Sequence, residues 1–372
     1  MKVLTIVNTD LVSEKDVEML PDISIAGSKI KCGIIDIPKP TFNECEKEND
    51  HFVLVKVLAF SCNYRDKAII LKSALKMQGA LNFQAAPFAF FGSDFVATVV
   101  AKGKLVGNFE IGQRVIPNCA YPESPFPGVA AGVVTNEASK GWLRIHKSKL
   151  IAIPDNMDDA IAASFSIGGQ TSTSMVRKVD LKKGERVLVL SGRSNTSMFI
   201  INNLLEKNVD TTVLTTSSWS KDEISLISPA KLVKVEKSFL KWKDHEDLGT
   251  FDVVFDPFFD LHLEKAVNSL KTYGRYITCG YKNQHNKFME DTDKFNNNNL
   301  KSIILKVMIN NMSIIGNCIG TSEDLEKALA NYNPSRFIVP IDGCYSVEEG
   351  DKFVARTYNN RGRLGKAVLA YS

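Results

Sequence analysis

Long apolar runs, clustered histidines and paired cysteines are all missing from this chain of 372 residues. No stretch approaches the roughly 18 apolar residues of a membrane span. The start, Met1 to Asp10, lacks the charged region, apolar run and small-residue cleavage site of a secretory signal. A cytoplasmic protein with no membrane partner is expected. The seven cysteines (Cys32, Cys45, Cys62, Cys119, Cys279, Cys318 and Cys344) are odd in number, far apart and never in CxxC or CxxH spacing. This argues against a disulfide framework or a structural zinc cage and predicts buried free thiols. His51, His245, His262 and His285 carry no signal, and His146, in WLRIHKSKL, reads as a surface histidine. Lys+Arg 46 against Asp+Glu 42 gives +4 without a basic run, and the tryptophans are scattered, so no nucleic-acid surface is indicated. A small-molecule or peptide substrate fits better.

What is present suits two cores, since the length exceeds what one core fills. From Met1 to about Pro154 the chain reads as short strands broken by turns, among them FVLVKVLAF, Phe95–Val100, Arg114–Pro117 and Leu150–Ile153. From Asp158 it changes to helix, then to LKKGERVLVLSG, a turn before an almost continuous apolar strand of the kind covered on both faces. MFIINNLLEK (helix), TTVLTT (strand), a polar helix from Ser220, FDVVFD (strand), LEKAVNSLKT (helix) and RYITCG (strand) follow. Strand and helix alternating at this interval predict a doubly wound α/β sheet with a ligand at the strand ends. NKFMEDTDKFNNNN reads as an exposed loop, MSIIGNCIG as a strand, SEDLEKALA as an amphipathic helix and GKAVLAYS as a closing strand.

Six local matches, in order, resemble the medium-chain dehydrogenase/reductase family. NYRD (Asn63–Asp66) is similar to the sequence in its zinc-independent quinone and enoyl reductases. FGSDFVATVV resembles G-x-D-x-x-G-x-V, and FEIGQRVIP the G-D-R-V turn. AASFSIGGQTS resembles the helix ending in a cofactor-contacting threonine, LKKGERVLVL the first nucleotide-domain strand, and GRLGKAVL the closing G-K-x-V-L strand. The resemblance implies a GroES-like, β-rich catalytic domain over 1–155 and 318–372, and a Rossmann nucleotide-binding domain over 156–317. It also implies a homodimer, for which the apolar edge strand around Met312–Ile319 is suited.

Many members hold a catalytic zinc. The alignment puts Asn63, Ser93 and Ile167 at its three ligand positions, and a tetrahedral site needs thiolate, imidazole or carboxylate there, so a metal-free enzyme is expected. Cys62 lies one residue out of register. In the nucleotide domain, Ser194, Asn195, Thr196 and Ser197 stand where G-G-V-G would form the turn. Their hydroxyls and the helix dipole are the expected means of holding a pyrophosphate. The second strand ends in Thr216, Ser217 and Ser218, followed by Lys221, with no carboxylate for a ribose; this favours NADPH, with NADH as the alternative. Thr171 and Gly280 complete the expected cofactor contacts.

The implied chemistry is hydride delivery to the β-carbon of an alkene conjugated to a carbonyl, followed by protonation. Tyr64 is the candidate donor, Asn63 and Arg65 orient the substrate, and Asp66 is a structural partner. The substrate is expected in the cleft between the domains. Two other readings stay open. One is a lanthipeptide-tailoring reductase that turns dehydroalanine into D-alanine. The other is a scaffold that has lost catalysis, suggested by the missing glycines.

Overall fold

A computed structural model describes the chain apart from residues 14, 79–85, 237, 239–240, 284–296, 360–361 and 372, and apart from the side chains of 78 and 297–299. Most of the polar loop expected at NKFMEDTDKFNNNN lies outside the described residues; its last three asparagines begin the helix Asn297–Ile309. Among the described residues no helix is long and apolar enough to cross a membrane.

The chain divides into two compact units, Met1–Ile167 with Ile341–Ser372, and Gly168–Asn283 with Lys287–Pro340. The divisions thus fall at 167/168 and 340/341, where the sequence had suggested 155/156 and 317/318. Ion pairs show why. Arg114 Nη1 bonds Asp159 Oδ1 at 2.7 Å and the Met157 carbonyl at 2.8 Å, which keeps the segment after Pro154 with the first unit. Arg177 Nη2 bonds Asp324 Oδ2 at 2.7 Å, and Gln170 Nε2 bonds the Thr321 carbonyl at 2.8 Å. The helix Ser322–Ala330 is thereby fixed to the second unit.

The first unit is built on a seven-stranded sheet centred on Phe52–Ser61, which pairs antiparallel with Asp94–Lys102, Trp142–His146 and Lys366–Ala370. Alternating apolar residues from these strands and from Lys2–Val7 make one core, including Val53, Val55, Val57, Phe60, Phe95 and Leu369. Two helices the strand pattern did not reveal, Tyr64–Gln78 and Gly350–Tyr358, complete the unit. His146 is buried rather than exposed. Its ring lies 4.7 Å from that of Phe126, 5.3 Å from Phe52 and 5.7 Å from His51, and its Nδ1 accepts the Ser148 N–H at 3.2 Å. Burial first, then the His51 and Lys147 charges, hold its pKa below the usual histidine value. His146 ends the strand Trp142–His146 opposite Phe52, a pairing that the alternation pattern alone does not show.

The second unit is a six-stranded, wholly parallel sheet in the order Lys231–Lys234, Asp210–Thr215, Arg186–Val189, Phe251–Asp256, Leu270–Thr278, Ser313–Gly316. Numbered along the chain this is 3-2-1-4-5-6, the Rossmann order. Val187, Leu188, Val189, Val253, Val254 and Phe255 are wholly buried, as a strand covered on both faces requires. Strand order reverses between Arg186–Val189 and Phe251–Asp256, and the carboxyl ends of these two strands define the crevice where such sheets take ligands.

Candidate functional site

In the first unit the residues at the three expected ligand positions come together, in a polar network. Asn63 precedes the helix Tyr64–Gln78, and Asp66, in its first turn, accepts the Asn63 backbone N–H at 2.8 Å, as a capping residue does. Asn63 Nδ2 donates to Ser93 Oγ at 3.0 Å and to Asp94 Oδ2 at 3.1 Å, while Ser93 Oγ donates to Asp66 Oδ2 at 2.6 Å. The Ile167 backbone N–H donates to Asp94 Oδ1 at 3.1 Å. Lys366 closes the far side: its ammonium pairs with Asp94 and donates to Ser61 Oγ at 3.1 Å, and Ser61 donates to the Ala163 carbonyl at 2.6 Å. Asp66 and Asp94 are wholly buried, so each needs these donors to offset the loss of water. Burial is the largest influence on Asp66 and leaves its pKa above the ordinary carboxylate value, although Arg65, Ser93, the Asn63 N–H and Lys366 all pull it down.

The other residues expected here are also placed. Arg65 Nη1 spans Asp66 Oδ1 (3.1 Å) and Asn136 Oδ1 (2.8 Å), which makes it a brace of the network. Tyr64 is half-buried at the helix start, with the Arg363 guanidinium 5.8 Å from its ring centroid. Cys62 is buried, as are Cys32 and Cys119, and burial pushes its pKa well up, whereas Cys45, Cys318 and Cys344 are exposed, against the expectation of buried thiols. The hydroxyl of Tyr358 donates to the Asn63 carbonyl at 3.1 Å. Sequence reasoning did not find Ser61, Asp94, Tyr358 or Lys366 as parts of this site, although Asp94 and Lys366 both lie inside motifs it had marked.

A zinc ion does not fit this donor set. Ser93 and Asn63 offer a hydroxyl and an amide, Ile167 offers no donor side chain, and both carboxylates are already engaged by cations and N–H groups. Among the described residues no three His, Cys, Asp or Glu side chains are grouped to hold a metal.

In the second unit the turn after Arg186–Val189 leads into the helix Asn195–Leu204. Ser191 sits at φ 52°, the left-handed region usually left to glycine. A Cβ on Gly192 would lie 2.4 Å from Val213 Cγ1, so this glycine is demanded by packing. The hydroxyls expected to grip an anion are partly spent. Ser194 caps the helix by accepting the Ser197 N–H at 3.1 Å and donates to Ser197 Oγ at 2.8 Å, and Ser197 Oγ donates to the Leu190 carbonyl at 2.7 Å. Ser197 is wholly buried, so a larger side chain there would disrupt the turn and its packing. The partly exposed Thr196 and the helix N-terminus remain for a pyrophosphate, with Asn195 buried beside them.

At the end of Asp210–Thr215, Thr216 and Ser218 are exposed and Ser217 is half-buried, its N–H donating to Thr215 Oγ1 at 3.2 Å. Ser218 Oγ accepts from Lys234 Nζ at 3.0 Å, a lysine missed in the sequence because it lies on the next strand. Lys221 is exposed at the start of the helix Lys221–Ser225. Arg193 reaches the same loop, pairing with Glu223 at 2.5 Å and lying 5.3 Å from the Trp219 ring centroid. Lys221, Lys234 and Arg193 therefore stand at this loop together with the carboxylates of Asp222 and Glu223. Thr171 is buried in the helix Ser166–Val179. A Cβ on Gly280 would meet the Pro257 carbonyl at 2.4 Å, so only glycine fits there. Beside it, at the carboxyl end of Phe251–Asp256, buried Asp256 accepts from Tyr276 (2.7 Å) and the Phe258 N–H (2.8 Å), and its Oδ1 lies 2.9 Å from His262 Nδ1. His262 had carried no signal in the sequence.

Residues 49–154 match the profile of the alcohol dehydrogenase GroES-like domain. No curated protein matches the chain in sequence. Among solved structures, the cobalt- and zinc-bound thermostable alcohol dehydrogenase of Pyrobaculum aerophilum is 17% identical over 100% of both chains, with a TM-score of 0.70. An NAD-dependent alcohol dehydrogenase is 17% identical over 91% of this chain and 95% of that one, at 0.69. The 2-octenoyl-CoA carboxylase reductase CinF of Streptomyces, in complex with NADP and 2-octenoyl-CoA, is 16% identical over 100% of this chain and 87% of that one, at 0.71. Residues 49–154 thus match an alcohol dehydrogenase GroES-like domain, and the chain as a whole shares the fold of these dehydrogenases and reductases.

Proposed function

We propose that this chain is an NADPH-dependent oxidoreductase that reduces a carbon–carbon double bond conjugated to a carbonyl, without zinc. The observation that carries the reading is the closed amide, hydroxyl and carboxylate network at Asn63, Ser93 and Asp94, which leaves substrate polarisation to hydrogen-bond donors. NADPH, when bound, supplies the hydride. The Tyr64 hydroxyl holds the proton that balances it, Asn63 and Arg65 orient the substrate, and the helix N-terminus at Asn195, with Thr196, holds the pyrophosphate. Ser217, Ser218, Lys221 and Lys234 face the 2′-phosphate. The NADP and enoyl thioester bound by one structural neighbour support the same cofactor and substrate class.

Fluorescence titration with NADPH and NADH tests the first step, and loss of NADPH absorbance with enals, quinones, enoyl thioesters and conjugated amides tests the second. Saturable, tighter NADPH binding with turnover of at least one of these alkenes is expected. Binding without any turnover would return the chain to a binding or scaffolding role, and absence of both would overturn the cofactor assignment. The edge strand Ser313–Gly316, with Ile314 exposed, is proposed to pair with a second copy, and sedimentation equilibrium showing a monomer would refute this.

A further inference from the structure

We infer that Asn63 selects the polar group of the substrate, and that it selects for a hydrogen-bond donor: an alkene whose conjugated group carries an N–H or O–H. The inference rests on the reductase reading above and adds the class of group the site accepts.

The amide of Asn63 has two hydrogens, and both are spent inside the network, on Ser93 Oγ and on Asp94 Oδ2. Neither acceptor can exchange roles. Ser93 has given its own proton to Asp66, and Asp94 Oδ2 is a carboxylate oxygen already paired with Lys366. Turning the amide over would set Oδ1 against that carboxylate and lose both hydrogen bonds, so its orientation is fixed by chemistry. Oδ1 therefore points out of the network. It takes no hydrogen bond from the described residues and is not buried. An amide oxygen can only accept.

A metal at this position would attract the lone pair of a bare carbonyl. Asn63 Oδ1 has the opposite polarity: a ketone, aldehyde or quinone oxygen would meet it lone pair to lone pair. A primary or secondary conjugated amide meets it with an N–H while keeping its carbonyl for a donor such as Tyr64.

N-methylacrylamide and N,N-dimethylacrylamide differ in that N–H and test the assignment. With NADPH present, the secondary amide is expected to be reduced with a kcat/KM about 3–10-fold higher, the scale of one net hydrogen bond. In Asn63→Ala this preference should fall to about one. Loss of a merely structural residue would lower both rates and keep the ratio. If Asn63→Ala does not fold, Asn63→Val, which fills the space without an acceptor, gives the same comparison. Equal rates in the parent, or a ratio unchanged in the variant, overturns the Asn63 assignment while alkene reduction stands. If neither amide nor any other conjugated alkene is reduced, the reductase reading fails. Saturation-transfer NMR of the same two amides with the NADPH-loaded protein then decides Asn63 separately, and equal binding overturns it.

Discussion

Replacing Lys366 with Met asks whether the network around Asn63 is held by its buried ion pair. The side chains of Lys366 and Asp94 are 4% and 0% exposed, so neither charge is screened by water. Lys366→Met keeps the length of the stem and removes the ammonium, which leaves Asp94 buried with a charge and no counter-charge. Breaking a buried pair from one side costs about 3–5 kcal/mol. Asp94 retains the Asn63 Nδ2 and Ile167 N–H donors, both at 3.1 Å, so the lower end, about 3 kcal/mol, is expected. For a unit of about 200 residues this corresponds to a fall in Tm of about 6–12 °C. Scanning calorimetry measures it, with Lys2→Met as control. Lys2 pairs with Glu18 on the surface, at 52% and 58% exposure, and its loss should leave the transition where it was. A Lys366→Met transition that moves no further than the control would refute the reasoning.

Tyr64→Phe keeps the ring beneath Arg363 and removes the hydroxyl, so turnover should fall about 10²–10⁴-fold with unchanged thermal unfolding; full activity would return Tyr64 to packing. Lys221→Ala and Lys234→Ala should each weaken NADPH binding by about 1–2 kcal/mol and leave NADH nearly unaffected, and a matching loss for both cofactors in a titration would show that neither lysine reads the phosphate. The depressed pKa of His146 means that the folded state binds its proton less readily than the unfolded chain. Its contribution to stability is complete above the ordinary histidine value of 6.5 and is lost as pH falls through the lower folded value. Denaturant midpoints should therefore drop from pH 7 to pH 5 in the parent and drop less in His146→Phe; parallel pH profiles would contradict this.

Much of the fold was written in local pattern. Apolar strands such as VLVL and FDVVFD, punctuated by turns and alternating with helices, specify a parallel sheet because burial on both faces leaves no polar positions. The helices Tyr64–Gln78 and Gly350–Tyr358 were not read from the local pattern, although Phe353, Val354 and Thr357 are buried at helical spacing in the second; their packing partners lie elsewhere in the chain. The expected grip of Ser194 and Ser197 on a pyrophosphate was chemically sound for those residue types. Only the tertiary structure shows the Ser194 hydroxyl turned back to cap its own helix and the Ser197 hydroxyl donating to the Leu190 carbonyl.

The sequence by itself determined that Asn63, Ser93 and Ile167, which the family resemblance aligns with zinc ligands, carry no thiolate, imidazole or carboxylate side chain. It also determined that the second nucleotide-type strand ends in hydroxyls and not in a carboxylate. The tertiary structure alone decided what those residues do. Asp94 and Lys366 are 272 positions apart and meet because the closing strand pairs with Phe52–Ser61; Lys234 reaches Ser218 from a neighbouring strand. Residue type fixes how many hydrogen bonds a side chain can make, but which partners take them depends on strand pairing across the chain, and that settles which atoms of Asn63 the network engages.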